Sequence, residues 1–181
     1  SMRPVGHVAL RLSACRVPAD ALIGPQDGAY DAMALPFRDA EDAIGASGMA
    51  GNLAGLVRLI GAELGPAPAE EAVAELGALA GLAALAAPVA AALAAAVDAG
   101  TPDARPAQAQ LIGLRQMLPE FHRRAAALRA AHATAPSPRV DARLHAIQTS
   151  LSVARGPRAI RMARLGQSML PGHQDKPAAL V

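Results

Sequence analysis

Residues 76–97 read LGALAGLAALAAPVAAALAAAV, twenty-two positions without one charged or hydrogen-bonding side chain. About 20 apolar residues cross a bilayer, so this length fits either a membrane span or the centre of a soluble bundle. On a helical wheel the Leu and Val residues share one half, and the other half holds a stripe of small residues. The stripe consists of Gly77, Gly81, Ala84, Pro88, Ala92 and Ala95. Small-residue stripes also occur between membrane helices. However, the flanks from Glu70 to Glu75 and at Asp98 are acidic and lack the Lys, Arg and aromatic anchors of bilayer interfaces. The stretch therefore predicts a soluble bundle helix with both faces covered, and no membrane partner.

The composition predicts an all-α protein. Hydrophobic residues make up 52% of the chain and aromatic residues only 2%, and the apolar set is dominated by the strong helix formers Ala and Leu. A net charge of +2 gives no reason to expect nucleic acid as a partner. The single cysteine, Cys15, excludes an internal disulfide framework. The N-terminus shows no secretory signal pattern, which predicts a cytoplasmic protein.

The sequence predicts no metal site. The five histidines lie at spacings that match no common ligand set, and there is neither a phosphate loop nor a dinucleotide-binding glycine motif.

A short β-strand is predicted at the N-terminus, because Val8, Leu10 and Leu12 alternate as in a half-buried strand. It would pair with residues 15–17 in a hairpin or with a strand of another chain. The predicted organisation is a strand and connector over residues 1–28 and a helical bundle domain over residues 29–181.

Proline and glycine residues divide the bundle into helices. The predicted helices are 36–64, 68–99 with a kink or break at Pro88, 105–132 with a bend at Pro119, a fourth that begins after Pro138, and a short fifth over 157–170. Long helices joined by short loops form an up-and-down antiparallel bundle. The third helix repeats its apolar residues every three or four positions, which indicates a narrow packing seam.

The first helix contains four closely spaced glycines, Gly45, Gly48, Gly51 and Gly55. Each costs about 1 kcal/mol relative to Ala in a helix interior. They predict that another backbone or a flat ligand comes very close, and close helix packing is the favoured interpretation.

Two charged sets are candidates for chemistry. Asp39, Glu41 and Asp42 beside Arg38 include a possible general base, although acids at a helix start are ordinarily partners of the helix dipole. Four arginines recur every three residues near the C-terminus, which suits a phosphate group or a solvated helix face. They are Arg155, Arg158, Arg161 and Arg164.

One part of the chain resembles a known family. The segments VALRLSACRVPADALIG (8–24), Gly28, PFRDAED (36–42) and GASG (45–48) follow one another. In this order they resemble the junction between the middle β-domain and the C-terminal helical domain of acyl-CoA dehydrogenases. The resemblance covers residues 8 to about 64; beyond them it rests on helix count and on Ala154-Arg155-Gly156 with Arg161 and Arg164.

The resemblance implies FAD-dependent oxidation of acyl-CoA thioesters by a homodimer or homotetramer. One subgroup of the family keeps its catalytic base at the start of the first helix of the helical domain. In this sequence Glu41 is the glutamate nearest to that position, whereas an alignment on the glycines places Arg38 there. The domains that hold the flavin have no counterpart in this sequence. The family's arginine and phenylalanine-glycine motif is replaced by residues 63–68, and its glutamate-glycine-threonine turn by residues 165–168.

These departures predict a dehydrogenase-like helical domain that does not catalyse by itself. FAD is implied by the resemblance alone, and the alternative expectation is that this chain holds no cofactor. Its partners would be further copies of itself or a second dehydrogenase subunit. The alternative is a helical assembly module without any link to catalysis.

Overall fold

The computed structural model describes residues 11–24, 27–100, 105–152 and 155–171, and within these ranges the chain is helical and contains no strand. A 3-10 turn, Ala19–Ala21, comes first, and a π-helical turn, Tyr30–Ala34, leads into the α-helices. These are α1 (Leu35–Leu64), α2 (Glu70–Ala84), α3 (Ala86–Asp98), α4 (Arg105–His132), α5 (Pro138–Ser152) and α6 (Arg155–Ser168). The predicted all-α class is confirmed, and the arrangement is compatible with a helical bundle.

The predicted N-terminal hairpin is not found in the described residues. Residues 1–10 lie outside them, while Leu12 and residues 15–17 form no strand. Leu12 and Val17 are 70% and 74% exposed, so these two side chains are not buried in a core. An isolated hairpin without such a core is at best marginally stable in water.

The core is formed by α1 to α5, with α1 and α4 at its centre. α1 contacts α2, α3, α4 and α5, and α4 also contacts α2, α3, α5 and α6. The predicted seam of α4 is confirmed, since every apolar residue of the series is buried. The series consists of Leu111, Leu114, Leu118, Phe121, Ala125 and Leu128. Phe121 is the largest side chain that is fully buried.

The second predicted helix divides at Leu85 into α2 and α3, three residues before Pro88. A proline ring clashes with the carbonyl four residues earlier and supplies no N–H donor, which here ends α2 at Ala84. Pro119, by contrast, lies within a continuous α4.

Only one face of α2 and α3 is covered by this chain, and the predicted cover of the other face stays a prediction. Leu79, Val89 and Leu93 are buried, whereas the opposite stripe of small residues is exposed. That stripe, with the larger Leu85 in it, is called the α2–α3 face here and consists of Gly77, Ala80, Gly81, Ala84, Leu85, Ala87, Pro88, Ala91, Ala94 and Ala95.

Two helical stretches of the described chain are long and apolar enough to cross a membrane, Tyr30–Leu64 and Glu70–Asp98. This is weak evidence, because core helices of soluble proteins meet the same criterion. In the most apolar parts of these stretches, 39% and 28% of the residues are buried.

Candidate functional site

Asp42 is one of two buried charged residues in the described chain, at 7% exposure. It lies on the inward face of α1, one turn before the buried Ala46. Its Oδ1 accepts a 3.2 Å hydrogen bond from Nη2 of Arg115 in α4, and its Oδ2 accepts a 2.6 Å bond from Nη1 of Arg161 in α6. Both carboxylate oxygens are therefore bonded to cations from other helices, as a buried charge requires.

A cavity of about 300 Å³ opens beside this carboxylate, between α4, the end of α5 and α6. We call it the arginine pocket; it is lined by Ile112, Arg115, Gln116, Pro119, Leu151, Arg158, Arg161 and Met162. Three arginines from two helices line it, Arg115 on α4 and Arg158 and Arg161 on α6. Arg158 also donates a hydrogen bond to the backbone carbonyl of Leu151, near the end of α5.

The two predicted catalytic residues lie apart from this pocket. Glu41 is exposed on α1. The Arg38 side chain is 35% exposed and its Nη2 is 3.8 Å from Asp39 Oδ1, a long separation for an ion pair. Neither Glu41 nor Arg38 lines either of the two cavities described here. Their catalytic role stays a prediction.

The sequence singled out Asp42 as an acid at a helix start, but not its role as the partner of two arginines. Of the four regularly spaced arginines, Arg158 and Arg161 reach the pocket, and Arg164 is exposed on α6. The Arg155 side chain lies outside the description. A usable signal was present: Asp42 is four residues before Ala46 and eleven before Leu53, so it shares their buried face.

The other buried charge, Glu63, organises a second group of polar contacts at the far end of α1, which we call the Glu63 cluster. Its Oε2 accepts a 2.7 Å bond from Arg129 Nε, and its Oε1 accepts one from the backbone N–H of Ser137. The backbone N–H and the hydroxyl of Thr134 donate to the Glu63 carbonyl at 2.8 and 3.0 Å. Arg129 also contacts the exposed Asp141. These bonds hold the loop between α4 and α5 against the end of α1.

An open groove of about 380 Å³ separates α2 from α4. There Arg124 makes two parallel bonds to Glu75, at 2.6 and 2.7 Å. The hydrogen bond from Arg124 is the largest influence on Glu75 and holds the pKa of that carboxyl below its ordinary value. This pair joins one groove wall to the other, which indicates a structural contact between the two helices.

The glycines of α1 only partly follow the prediction of close approach. A Cβ at Gly55 would lie 2.7 Å from Nη1 of Arg143, whose guanidinium donates to Asn52 Oδ1 at 2.9 Å. A Cβ at Gly45, Gly48 or Gly51 would meet nothing within 4 Å. The close neighbour of Gly55 is thus the end of an arginine side chain and neither a backbone nor a flat ligand. Gly45, Gly48 and Gly51 lie on the exposed side of α1, and the close approach predicted there stays a prediction.

The described residues contain no group of three or more His, Cys, Asp and Glu side chains suited to a metal ion. No protein-family model matches the chain, and no curated protein or solved structure shows significant similarity to it. The arginine pocket and the exposed α2–α3 face are therefore the two features of the described chain that bear on its function.

Proposed function

We propose that this chain is a helical assembly domain, related to the C-terminal domain of acyl-CoA dehydrogenases, that does not oxidise acyl-CoA by itself. It associates with a second copy of the chain through the α2–α3 face, and its helices form the up-and-down antiparallel bundle of that family. The observation that carries the proposal is the exposure of this uncharged face.

The α2–α3 face has the composition of a helix-packing surface. Its members recur every three or four residues over more than four helical turns, so they form one continuous stripe. Small residues allow two helix backbones to approach closely, and Leu85, which is 55% exposed, projects from the middle of the stripe. An apolar surface of this length without charge is typical of an interaction site.

A second copy of the chain is favoured over a bilayer as the cover of the α2–α3 face, because charged residues of α4 lie on the other side of α2 and α3. α4 packs against both α2 and α3, and it carries Arg123 and Arg124, the latter paired with Glu75. A bilayer that covered α2 and α3 would bring these charges to membrane depth, at a cost of several kcal/mol. A protein partner covers the face and leaves the groove in water.

The non-catalytic part of the proposal is supported by the position of Glu41. A general base has to reach the proton that it abstracts, and Glu41 is exposed and lines neither cavity. Any flavin would be brought by a second dehydrogenase subunit, the other partner that the resemblance implies.

Sedimentation equilibrium of the full chain tests the assembly. We expect a dimer at micromolar concentration, and a monomer with an unchanged circular dichroism spectrum for the double variant Ala84→Lys, Ala91→Lys. Ala142→Lys, on the exposed side of α5, is the matched control and should remain dimeric. A monomeric wild type at all concentrations, or wild type that cosediments with lipid vesicles, would overturn the proposed self-association.

The visible absorption spectrum tests the catalytic part separately. Purified protein mixed with FAD should show no bound-flavin absorbance after gel filtration, and should not reduce an electron acceptor in the presence of an acyl-CoA. A yellow protein that reduces the acceptor would show that the domain catalyses alone.

A further inference from the structure

We propose that the arginine pocket binds a phosphate monoester with a short apolar substituent. The inference is independent of the proposed assembly, since it rests on contacts among α1, α4, α5 and α6 and not on the α2–α3 face.

The charge balance of the pocket selects a dianion. Arg115, Arg158 and Arg161 carry three positive charges, and Asp42 supplies one negative charge, which leaves a surplus of two. A phosphate monoester carries a charge of about −1.5 to −2 at pH 7 and therefore matches this surplus. A carboxylate would neutralise only half of it.

The guanidinium groups are positioned by contacts that leave donors for a ligand. Arg115 and Arg161 each use one described N–H on Asp42, and Arg158 uses one on the Leu151 carbonyl. A guanidinium has five N–H donors in a planar fork, so several remain on each. Because the Asp42 and Leu151 contacts hold the three side chains in place, less entropy is lost when an anion binds.

The remaining walls favour an organic substituent on the phosphate. Ile112, Leu151 and Met162 line the same cavity and offer it an apolar surface. Its volume of about 300 Å³ lies at the lower end of the range of small-molecule sites, about 300–1,000 Å³. A short alkyl phosphate therefore suits the pocket better than inorganic phosphate or a long chain.

The competing interpretation is that the arginines only hold α6 against α1 and α4. In that case the ion pairs of Arg115 and Arg161 with Asp42 would be sufficient to hold the three helices together. Arg158 and the open cavity beside it have no function under that interpretation apart from the bond to Leu151. The two interpretations differ in whether an added anion binds.

Isothermal titration calorimetry of the full chain with butyl phosphate tests the proposal. We expect saturable binding of one molecule per chain, weaker binding of butyrate, and no binding of n-butanol. Arg158→Gln should weaken the binding of butyl phosphate about tenfold or more, because it removes one charge-assisted contact. Arg58→Gln is the matched control, because Arg58 is exposed on α1, about 24 Å along the helix from Asp42 at 1.5 Å per residue. The Arg58→Gln variant should bind butyl phosphate with the affinity of the wild type.

A second variant keeps the test decisive if Arg158→Gln unfolds α6. Gln116→Glu places a negative charge on an exposed position of the pocket lining and leaves every arginine contact to Asp42 in place, so it should also weaken binding about tenfold. Unchanged affinity in Gln116→Glu, or equal heats for butyl phosphate and n-butanol in the wild type, would overturn the proposal.

Discussion

Arg161 of α6 donates a 2.6 Å hydrogen bond to Oδ2 of Asp42 in α1, across 119 positions of sequence. Arg115 of α4 occupies the other oxygen of the same carboxylate. Asp42 thus joins three helices through one side chain, and it attaches α6 to α1 in addition to the packing of α6 against α4.

Asp42→Asn should destabilise the protein by about 1–3 kcal/mol, because it leaves two partly buried guanidinium groups without a carboxylate. Urea unfolding measures the change. Glu41→Gln is the control, since Glu41 is exposed on the same helix, and its effect should stay within about 0.5 kcal/mol. Equal midpoints for the two variants would contradict the role assigned to Asp42.

In the Glu63 cluster, Arg129 contacts two carboxylates, the buried Glu63 and the exposed Asp141, and their contributions to stability can be compared. Glu63→Gln should cost about 2–4 kcal/mol, since Glu63 is only 3% exposed and also accepts the Ser137 N–H. Asp141→Asn should cost less than about 1 kcal/mol, because its side chain is 64% exposed. Thermal unfolding distinguishes them, and a larger effect of Asp141→Asn would show that Glu63 is not the anchor.

Glu75 should make stability depend on pH. Its pKa is lowered in the folded protein by the hydrogen bond from Arg124, so its stabilising contribution is present above the ordinary value of 4.5 and is lost as the pH falls below it. The stability difference between wild type and Glu75→Gln should therefore shrink as the pH falls from about 6 to 3.

Urea midpoints across this range measure the effect of Glu75. Arg124→Gln removes the donor of the hydrogen bond and should reduce the dependence of stability on pH as much as Glu75→Gln does. A difference between wild type and Glu75→Gln that stays constant with pH would show that the ion pair does not persist in solution.

Two glycines of α1 should respond differently to alanine. Gly48→Ala should stabilise the protein by about 0.5–1 kcal/mol, because a Cβ there meets nothing and alanine is the better helix former. Gly55→Ala should be about 1 kcal/mol less stable than Gly48→Ala, since the new methyl group displaces Arg143 from Asn52. Equal stabilisation, measured by thermal unfolding, would mean that Arg143 moves aside without loss.

The helices were predictable because their signals are local. The apolar spacing of α4 specifies its buried seam, and the steric effect of Pro88 specifies the end of α2. The alternation of Val8, Leu10 and Leu12 predicted a hairpin, but Leu12 and residues 15–17 form no strand, since a strand depends on a partner and a core that neighbouring residues cannot supply. The first two of these residues lie outside the described part of the chain.

The arginine pocket was predictable only in part. The series that contains Arg158 and Arg161 indicated an anion site, but the contacts to Arg115 and Asp42 join positions 73 and 119 residues apart. No local sequence pattern encodes such pairs, because they depend on which helices lie next to each other in the folded chain. The same reason explains why Gly55 and Gly48 appear equivalent in sequence and differ in the fold.

The Glu63 cluster also has a kinetic consequence. Its bonds from Arg129, Thr134 and Ser137 span 66, 71 and 74 residues, and loops of this length close at a substantial entropic cost. We expect them to form after the folding transition state, because they require α1, α4 and α5 to be docked. Their loss should accelerate unfolding and leave the folding rate nearly unchanged, which makes Glu63 a determinant of how long the folded chain persists.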